Sequence, residues 1–307
     1  MPTPSPLDRR GLLLGAGAYG LWGFLPLYFP LLAPAGPVEI IAHRVVWSLL
    51  FCLAILLVTG TWRSALAAAR RPRMLATLAL AGVLVATNWL VFVAGVLGGH
   101  TVDAALGYYI NPLVTVALAV LVLGERMRPA QWVALGIGLL AVVVLTLGVG
   151  RLPWVALTLA STFGLYGLIK NRVGRSVPAL ASLAVETAVL APLALAYLAV
   201  LGSAGGFATH GSWHALAMAG TGVVTAVPLL LFGGAARRLP LSIVGLIQYL
   251  TPTLQFMLGI LVFHEAMPAV RWWGFGLVWL ALLVLTVDTL RSGRPALRGR
   301  QPAIVSQ

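Results

Sequence analysis

The segments YYINPLVTVALAVLVLGE at residues 108–125 and QYLTPTLQFMLGILVFHE at residues 248–265 are two versions of one pattern. Each carries a tyrosine and then a proline near its start, continues as an apolar run and ends at a glutamate. The residues that are identical at an offset of 140 include Tyr109 and Tyr249, Pro112 and Pro252, Glu125 and Glu265, Trp132 and Trp272, and Gly136 and Gly276. Similarity at a fixed offset indicates that one structural unit occurs twice.

The composition of the chain excludes an ordinary water-soluble domain. Of its 307 residues, 60% are hydrophobic and 9% are charged, and the mean hydropathy is +0.99. Soluble domains contain roughly 25% charged residues. Because the surface of a soluble protein needs polar cover that this sequence does not supply, we predict an integral membrane protein.

Apolar segments long enough to cross a bilayer, which requires about 20 residues, occur ten times along the chain. They are residues 11–30, 38–58, 74–97, 104–123, 130–148, 152–169, 179–201, 212–233, 240–263 and 268–289. The prediction is an all-α integral membrane protein with ten transmembrane helices. Its parts are a tail at 1–10, a first five-helix repeat at 11–148, a second at 152–289 and a tail at 290–307.

The net charge of +13 is a topology signal, because of where the basic residues lie. Seventeen of the 20 lysines and arginines fall in the two tails and in every second loop. The positive-inside rule places such segments in the cytoplasm. We therefore predict a multi-pass protein of the cytoplasmic membrane with both termini inside, with anionic lipid headgroups and not nucleic acid as its charged contacts.

An odd number of helices per repeat means that the second repeat enters the membrane from the opposite side. The loops agree, since GERMRPA at 124–130 is basic whereas its counterpart HEAMPA at 264–269 is not. LGGHTVD at 97–103 has no lysine or arginine, whereas GGAARRLP at 233–240 has two. Inverted repeats around a site near mid-membrane are typical of secondary transporters. The pattern therefore favours a transporter that works by alternating access.

Several segments resemble a known family. They include YGLWGFLPLYFPLL at 19–32, the E-I-x-A-H-R pattern at 39–44 and the G-Y-x-I-N-P-L pattern at 107–113. The chain resembles the RarD-type proteins of the EamA family, within the drug/metabolite transporter superfamily, from about residue 8 to residue 290. The resemblance implies ten helices in two inverted repeats in the cytoplasmic membrane, and it implies export of small metabolites or drugs.

Matching polar stripes mark the fourth and ninth predicted spans. They consist of Tyr108, Asn111 and Thr115 in the first repeat and of Gln248, Thr251 and Gln255 in the second. The spacing i, i+3, i+7 puts each set on one helical face. Polar groups in hydrocarbon tend to face a bundle interior or a wet cavity, so we predict that these residues line the substrate path. Hydrogen bonding between helices is the alternative reading.

Prolines accompany both stripes. Pro112 and Pro252 are predicted to break their helices and to free a backbone carbonyl one turn earlier. Such a carbonyl needs a partner inside the membrane, which a side chain, a water or a substrate can supply.

Ionisable residues in the second and seventh spans are further candidates for the site. His43 and Arg44 lie in the second span, and Glu186 in the seventh is the deepest carboxylate of the chain. One hypothesis is that Glu186 or His43 exchanges a proton during transport, or that Arg44 holds a substrate carboxylate. The other is a structural bridge from Arg44 to Glu186 or to Glu39.

Trp22 and Asn88 extend the predicted lining to the first and third spans. Glu125 and Glu265 end corresponding helices and are interpreted as matching boundary or gate residues, or else as plain solvent-facing charges. No catalytic residue, metal site or cofactor is predicted. Two alternative functions remain. One is a membrane-embedded enzyme, which the dispersed acidic residues disfavour, and the other is a non-transporting sensor or assembly subunit. The substrate class and the oligomeric state are left open.

Overall fold

In the computed structural model the described residues are 8–292 apart from Glu125, Arg175, Arg237 and Pro240. Their regular structure is helical throughout. In the first half the helices are α1 (Arg9–Tyr28), α2 (Pro37–Val58), α3 (Trp62–Ala69), α4 (Pro72–Leu97), α5 (Thr101–Leu123) and α6 (Pro129–Val149). In the second half they are α7 (Trp154–Val173), α8 (Ala179–Leu201), α9 (Gly206–Thr209), α10 (Gly211–Ala236), α11 (Leu241–Ile247), α12 (Leu250–Leu261) and α13 (Ala269–Ser292).

The all-α membrane fold that the sequence predicts is confirmed. Within the described residues, nine segments are long and apolar enough to cross a membrane. The one predicted span that is not among these nine is the sixth, 152–169, which coincides with α7, a helix of 20 residues that ends in the polar sequence KNRV. The predicted tails lie largely at residues 1–7 and 293–307, outside the described part of the chain.

Local sequence signals explain where several helices begin and end. Proline occupies the first position of α2, α4 and α6, where its fixed φ angle suits a helix and no backbone N–H is needed. Asp8 precedes α1 and accepts hydrogen bonds from the backbone N–H of Arg10 (2.9 Å) and of Gly11 (3.3 Å). Gly150 ends α6 with a φ angle of 76°, a conformation that glycine adopts without strain.

Two differences from the predicted helices affect the architecture. The predicted span 240–263 consists of two helices, α11 and α12, which are separated at Gln248 and Tyr249. The loop after the second span contains the short helix α3, which the apolar runs do not reveal. Its exposed residues include Trp62 and Arg63, as is typical of a helix at a membrane surface.

Helix packing follows the repeat. α5 packs against α7 as α12 packs against α1, and α4 packs against α7 as α10 packs against α1. Three further contacts join a helix to its own repeat counterpart, namely α2 with α8, α5 with α12 and α6 with α13, and two more join α2 with α10 and α4 with α8. The first helix of each repeat therefore packs against helices of the other repeat.

The helices of these counterpart pairs run antiparallel. Arg128 at the start of α6 pairs with Asp288 near the end of α13 (2.7 Å), whereas Gly148 at the end of α6 lies against Val270 at the start of α13. A two-fold rotation that exchanges antiparallel helices has its axis perpendicular to the helices. For helices that cross a membrane, this axis lies in the membrane plane. This is the arrangement that two inverted repeats produce.

Two glycines that are 140 residues apart allow close approaches around the α2–α8 pair. A Cβ atom on Gly222 of α10 would lie 2.4 Å from the carbonyl oxygen of Trp47 in α2. A Cβ atom on Gly82 of α4 would lie 3.0 Å from the carbonyl oxygen of Glu186 in α8. Small residues permit such backbone contacts between membrane helices.

Candidate substrate site

The buried carboxylate of Glu186 is held by three donors. Lys170 Nζ lies 2.7 Å from Oε1, the Ser182 hydroxyl donates to the same oxygen (2.6 Å), and the Tyr166 hydroxyl donates to Oε2 (3.2 Å). The carboxylate side chain has no exposed surface, and Lys170 is 19% exposed. These contacts join α7 to α8, which are consecutive helices of the second repeat.

Lys170 is not among the predicted site residues, because its position after an apolar run predicts that it lies in a basic cytoplasmic loop. The structure extends α7 to Val173, which brings Lys170 into the helix. The available signal was the spacing of Tyr166 to Lys170 and of Ser182 to Glu186, each four residues and hence one helical turn. The bridge from Arg44 to Glu186 that the sequence allowed is absent, since Lys170 supplies the cation.

Arg44 lies between α2, α4 and α10 and is 3% exposed. Its Nε–H donates to the hydroxyl of Thr225 (2.8 Å), and its Cζ lies 4.1 Å from the ring centroid of Trp89. Its Nη1 is buried without a hydrogen-bond partner. Among the described residues no carboxylate forms an ion pair with Arg44, so the alternative bridge to Glu39 is also absent.

Glu39 and His43 lie toward the end of α2 that the charge pattern places outside. Glu39 accepts a hydrogen bond from the backbone N–H of Gly206 (2.6 Å), next to α9. The ring of His43 stacks on Phe207, with centroids 4.7 Å apart, and Trp47 stacks on the same ring at 6.0 Å. Both side chains thus contribute to closing this end of α2 against α9.

Asn88 is a junction between three helices. Its Nδ2 donates to the carbonyl of Leu159 and to the hydroxyl of Thr162 in α7, each at 3.0 Å. Its Oδ1 accepts from the hydroxyl of Tyr108 in α5, also at 3.0 Å. Asn88 is 1% exposed, so this amide connects α4, α5 and α7 within the bundle.

The polar stripe of α12 contacts the backbone of α1. The Thr251 hydroxyl donates to the carbonyl of Tyr19 (2.7 Å), and Gln255 Nε2 donates to the carbonyl of Trp22 (3.2 Å). Gln255 Oε1 is buried without a partner. Gln248 is partly exposed at the gap between α11 and α12, one turn before Pro252.

The stripe of α5 is arranged differently. α5 continues through Pro112, so of the two prolines predicted to break helices only Pro252 lies next to an interruption. Asn111 Oδ1 is buried without a partner, and the exposed Thr115 donates its hydroxyl to the Asn111 carbonyl (2.9 Å). The ring of Trp22 lies 6.2 Å from that of Phe232, across the contact of α1 with α10.

One end of the α5–α12 pair is closed by charged contacts. The two carboxylate oxygens of Glu265 accept from the backbone N–H groups of Thr101 (2.5 Å) and Val102 (2.9 Å), at the start of α5. Arg271 pairs with Asp103 (3.5 Å), and both side chains are largely buried. The matching residue Glu125 lies outside the described residues.

Groups of three histidine, cysteine or acidic side chains that could hold a metal do not occur in the described part of the chain. His214 Nε2 instead lies 2.9 Å from the carbonyl oxygen of Leu32, and Cys52 is buried as a free thiol. The buried polar groups among the described residues thus include the neutralised Lys170–Glu186 pair, Arg44 without a counter-ion, and a set of amides and hydroxyls. Such a constellation suits reversible binding of a solute.

A bundle of antiparallel repeat counterparts with buried charges inside defines a multi-pass membrane protein of the transporter type. Comparison with known proteins gives the particular family. The model of the EamA-like transporter family matches residues 9–147. Protein RarD of Streptomyces exfoliatus is 54% identical over 94% of this chain and 91% of its own length. Protein RarD of Escherichia coli is 36% identical over 93% and 97%.

The chain belongs to the RarD-type proteins of the EamA family, within the drug/metabolite transporter superfamily. Another relative, the chloramphenicol-sensitive protein RarD of Pseudomonas aeruginosa, is 30% identical over 93% of this chain and 96% of its own length. A solved crystal structure with 19% identity covers 92% of this chain and 98% of its own, with a TM-score of 0.60, and so shares the fold. The chain is a membrane transporter of this superfamily.

Proposed function

We propose that this chain is a secondary transporter that exports small organic metabolites or drugs across the bacterial cytoplasmic membrane by alternating access. The observation that carries the proposal is the antiparallel packing of repeat counterparts, seen in α6 with α13 through Arg128–Asp288 and Gly148–Val270. Two halves related in this way can open toward either face by equivalent motions. The positive-inside pattern supports a topology with both termini in the cytoplasm.

In this topology the end closed by Glu265 faces outward. The carboxylate of Glu265 interacts with the positive end of the α5 dipole, an interaction that breaks when α12 and α5 separate. Residue 241, at the start of α11, is the counterpart of Thr101 at the offset of 140. We propose that Glu125 takes the corresponding role at the start of α11 in the outward-open state, so that the two glutamates alternate as gates.

The substrate path is proposed to run between α5 and α12, where the polar stripes lie. In the conformation described, Thr251 and Gln255 contact α1 and Asn88 contacts α7. Movement of α12 away from α1 would expose the side chains of Thr251 and Gln255 to solute. Proton coupling is proposed to involve Glu186 or His43, and in the case of Glu186 a proton has to displace Lys170 from the carboxylate.

Topology and flux are tested separately. In a Cys52→Ala background, Arg126→Cys and Ala266→Cys place one exposed thiol at each predicted face. A membrane-impermeant maleimide added to right-side-out vesicles should label position 266 and spare position 126 until the membrane is opened. Labelling of both positions from one side contradicts the inverted repeats and the proposed mechanism.

Flux is measured in proteoliposomes with labelled amino acids, nucleosides and chloramphenicol, as influx, efflux and counterflow. Counterflow that depends on the protein supports transport by alternating access. Chemical conversion of a solute without flux would support the membrane enzyme instead, and binding without flux the sensor. If the transport rate of Glu186→Gln depends on pH as strongly as that of the wild type, Glu186 does not exchange the proton. His43 then remains as the candidate for the proton step.

A further inference from the structure

Arg44 is a buried cation whose surroundings leave its charge uncompensated. Among the described residues Arg44 has one hydrogen-bond partner, the hydroxyl of Thr225, to which its Nε–H donates at 2.8 Å. Thr225 is itself engaged, since its hydroxyl proton is donated to the carbonyl of Thr221 (2.7 Å). Trp89 covers one face of the guanidinium at 4.1 Å. Nη1 is buried and has no acceptor.

The nearby carboxylates on α2 and on its repeat counterpart α8 do not serve Arg44. Glu39 accepts from the backbone of Gly206 at 2.6 Å, and Glu186 is neutralised by Lys170 at 2.7 Å. A charge buried without a counter-ion is strongly disfavoured in a protein interior, and a neutral hydroxyl and an aromatic face compensate it only in part. No described residue supplies this negative charge, so a bound anion is the source that fits the site.

A second unsatisfied donor lies one helical turn further along α2. The hydroxyl oxygen of Ser48 is fully buried and has no hydrogen-bond partner, and residues i and i+4 lie on one helical face. Aromatic side chains line this part of the bundle, with Trp89 in contact with Arg44 and with Phe92 and Tyr108 packed together at 5.7 Å between α4 and α5.

We propose that Arg44 binds the carboxylate of an organic monoanion, with Ser48 as a second donor and Trp89 as the wall against which its apolar part packs. This inference rests on the proposed transport function, because it names the substrate class. The single uncompensated positive charge matches one carboxylate, whereas a phosphate dianion would leave an excess negative charge in the bundle. Arginine Nη1 is well suited to a carboxylate oxygen because charge-assisted hydrogen bonds are strong.

The test compares acids with their amides on purified protein in detergent. Thermal unfolding is followed while benzoate, phenylacetate or indole-3-acetate is added, with benzamide, phenylacetamide and indole-3-acetamide as neutral counterparts. Stabilisation that rises with acid concentration yields an apparent Kd. At least one acid is expected to bind at least 10-fold more tightly than its amide. The absence of stabilisation by all three acids, or equal stabilisation by acids and amides, overturns the proposal.

Variants at Arg44 separate binding from a structural role. Arg44→Gln should weaken acid binding at least 10-fold, and Arg44→Lys should recover part of it. Arg63→Gln is the matched control, because Arg63 also lies over a tryptophan, Trp62, but is exposed. Without ligand, Arg44→Met is expected to unfold at a temperature equal to or above that of the wild type, since it removes an uncompensated charge. A lower unfolding temperature, with unchanged acid binding by Arg44→Gln, would show that Arg44 is structural.

The outcome for the substrate class is distinguishable from the outcome for transport. Acid that binds to Arg44 in detergent but is not moved in proteoliposomes contradicts the transport proposal and leaves the anion site intact. Flux of neutral solutes that is unaffected by Arg44→Gln contradicts the anion site and leaves transport intact.

Discussion

Lys170 Nζ lies 2.7 Å from Oε1 of Glu186, and this pair is the neutralised counterpart of the unpaired Arg44 in the other repeat. Lys170 is on α7 and Glu186 on α8, with Ser182 donating to the same carboxylate oxygen. The two repeats therefore differ in charge at corresponding depths. In the second repeat Glu186 is paired with Lys170, whereas Arg44 in the first repeat has no counter-ion among the described residues.

Loss of one partner of the Lys170–Glu186 pair should lower the free energy of unfolding, whereas replacement of both partners by apolar side chains should change it little. Lys170→Met leaves a buried carboxylate and Glu186→Leu leaves a buried ammonium, so each is expected to destabilise the protein by about 3 kcal/mol. The double variant should recover most of the loss, because two apolar side chains need no partner. Thermal unfolding in detergent measures all three. Additive losses in the double variant would show that the two side chains act independently.

The contact of Glu265 with the start of α5 should control access from the outer face. Glu265→Ala removes the acceptor for the N–H groups of Thr101 and Val102, with an expected loss of about 1 kcal/mol in stability. A cysteine at Val102, which is fully buried, should then react faster with a maleimide than it does beside Glu265. Glu265→Asp serves as the control that keeps the charge. Unchanged labelling rates in Glu265→Ala would exclude this residue as a gate.

The hydroxyl of Tyr108 should matter through Asn88. Tyr108→Phe leaves Asn88 Oδ1 buried without a donor, which is expected to cost about 1–2 kcal/mol. Asn88→Leu also removes both donors to α7 and should cost more. Tyr197→Phe is the matched control, because this tyrosine is exposed on α8. Equal unfolding temperatures of Tyr108→Phe and Tyr197→Phe would contradict the three-helix junction.

The glycines at the close helix approaches should differ from those in open positions. Gly222→Ala places a Cβ atom 2.4 Å from the Trp47 carbonyl oxygen and should destabilise by about 1–3 kcal/mol. Gly82→Ala meets the Glu186 carbonyl oxygen at 3.0 Å and should cost less. Gly136→Ala has open space and should be neutral or stabilising by up to about 1 kcal/mol. The order of the three unfolding temperatures is the measurement.

The helices were predictable because the bilayer imposes length and apolar composition on each span. The prediction was weakest where polarity interrupts a helix. α7 was predicted to end at residue 169, which left Lys170 in a loop, because a lysine normally terminates an apolar run. α3 has eight residues and no long apolar run, so a search for spans passes over it.

The partners of the buried polar residues were not predictable from spacing alone. Periodicity shows that Thr251 and Gln255 share a face with Gln248, but it does not show which helix that face meets. In the structure two of these side chains bind carbonyls of α1, more than 230 residues away in sequence. Likewise, the presence of a proline at the same position of both repeats does not reveal that α5 continues through Pro112 while the chain is interrupted before Pro252.

The exchange of first helices has a consequence for how the polypeptide is assembled. α1 packs on α10 and α12, and α7 packs on α4 and α5. Most of the second half therefore has to be synthesised before α1 can form its native contacts. If residues 8–150 or 151–292 were expressed alone, the apolar and hydrogen-bonding surfaces that normally contact the other half would be exposed to lipid. Each half of the chain therefore needs the other half to form its native packing, although one short linker joins the two.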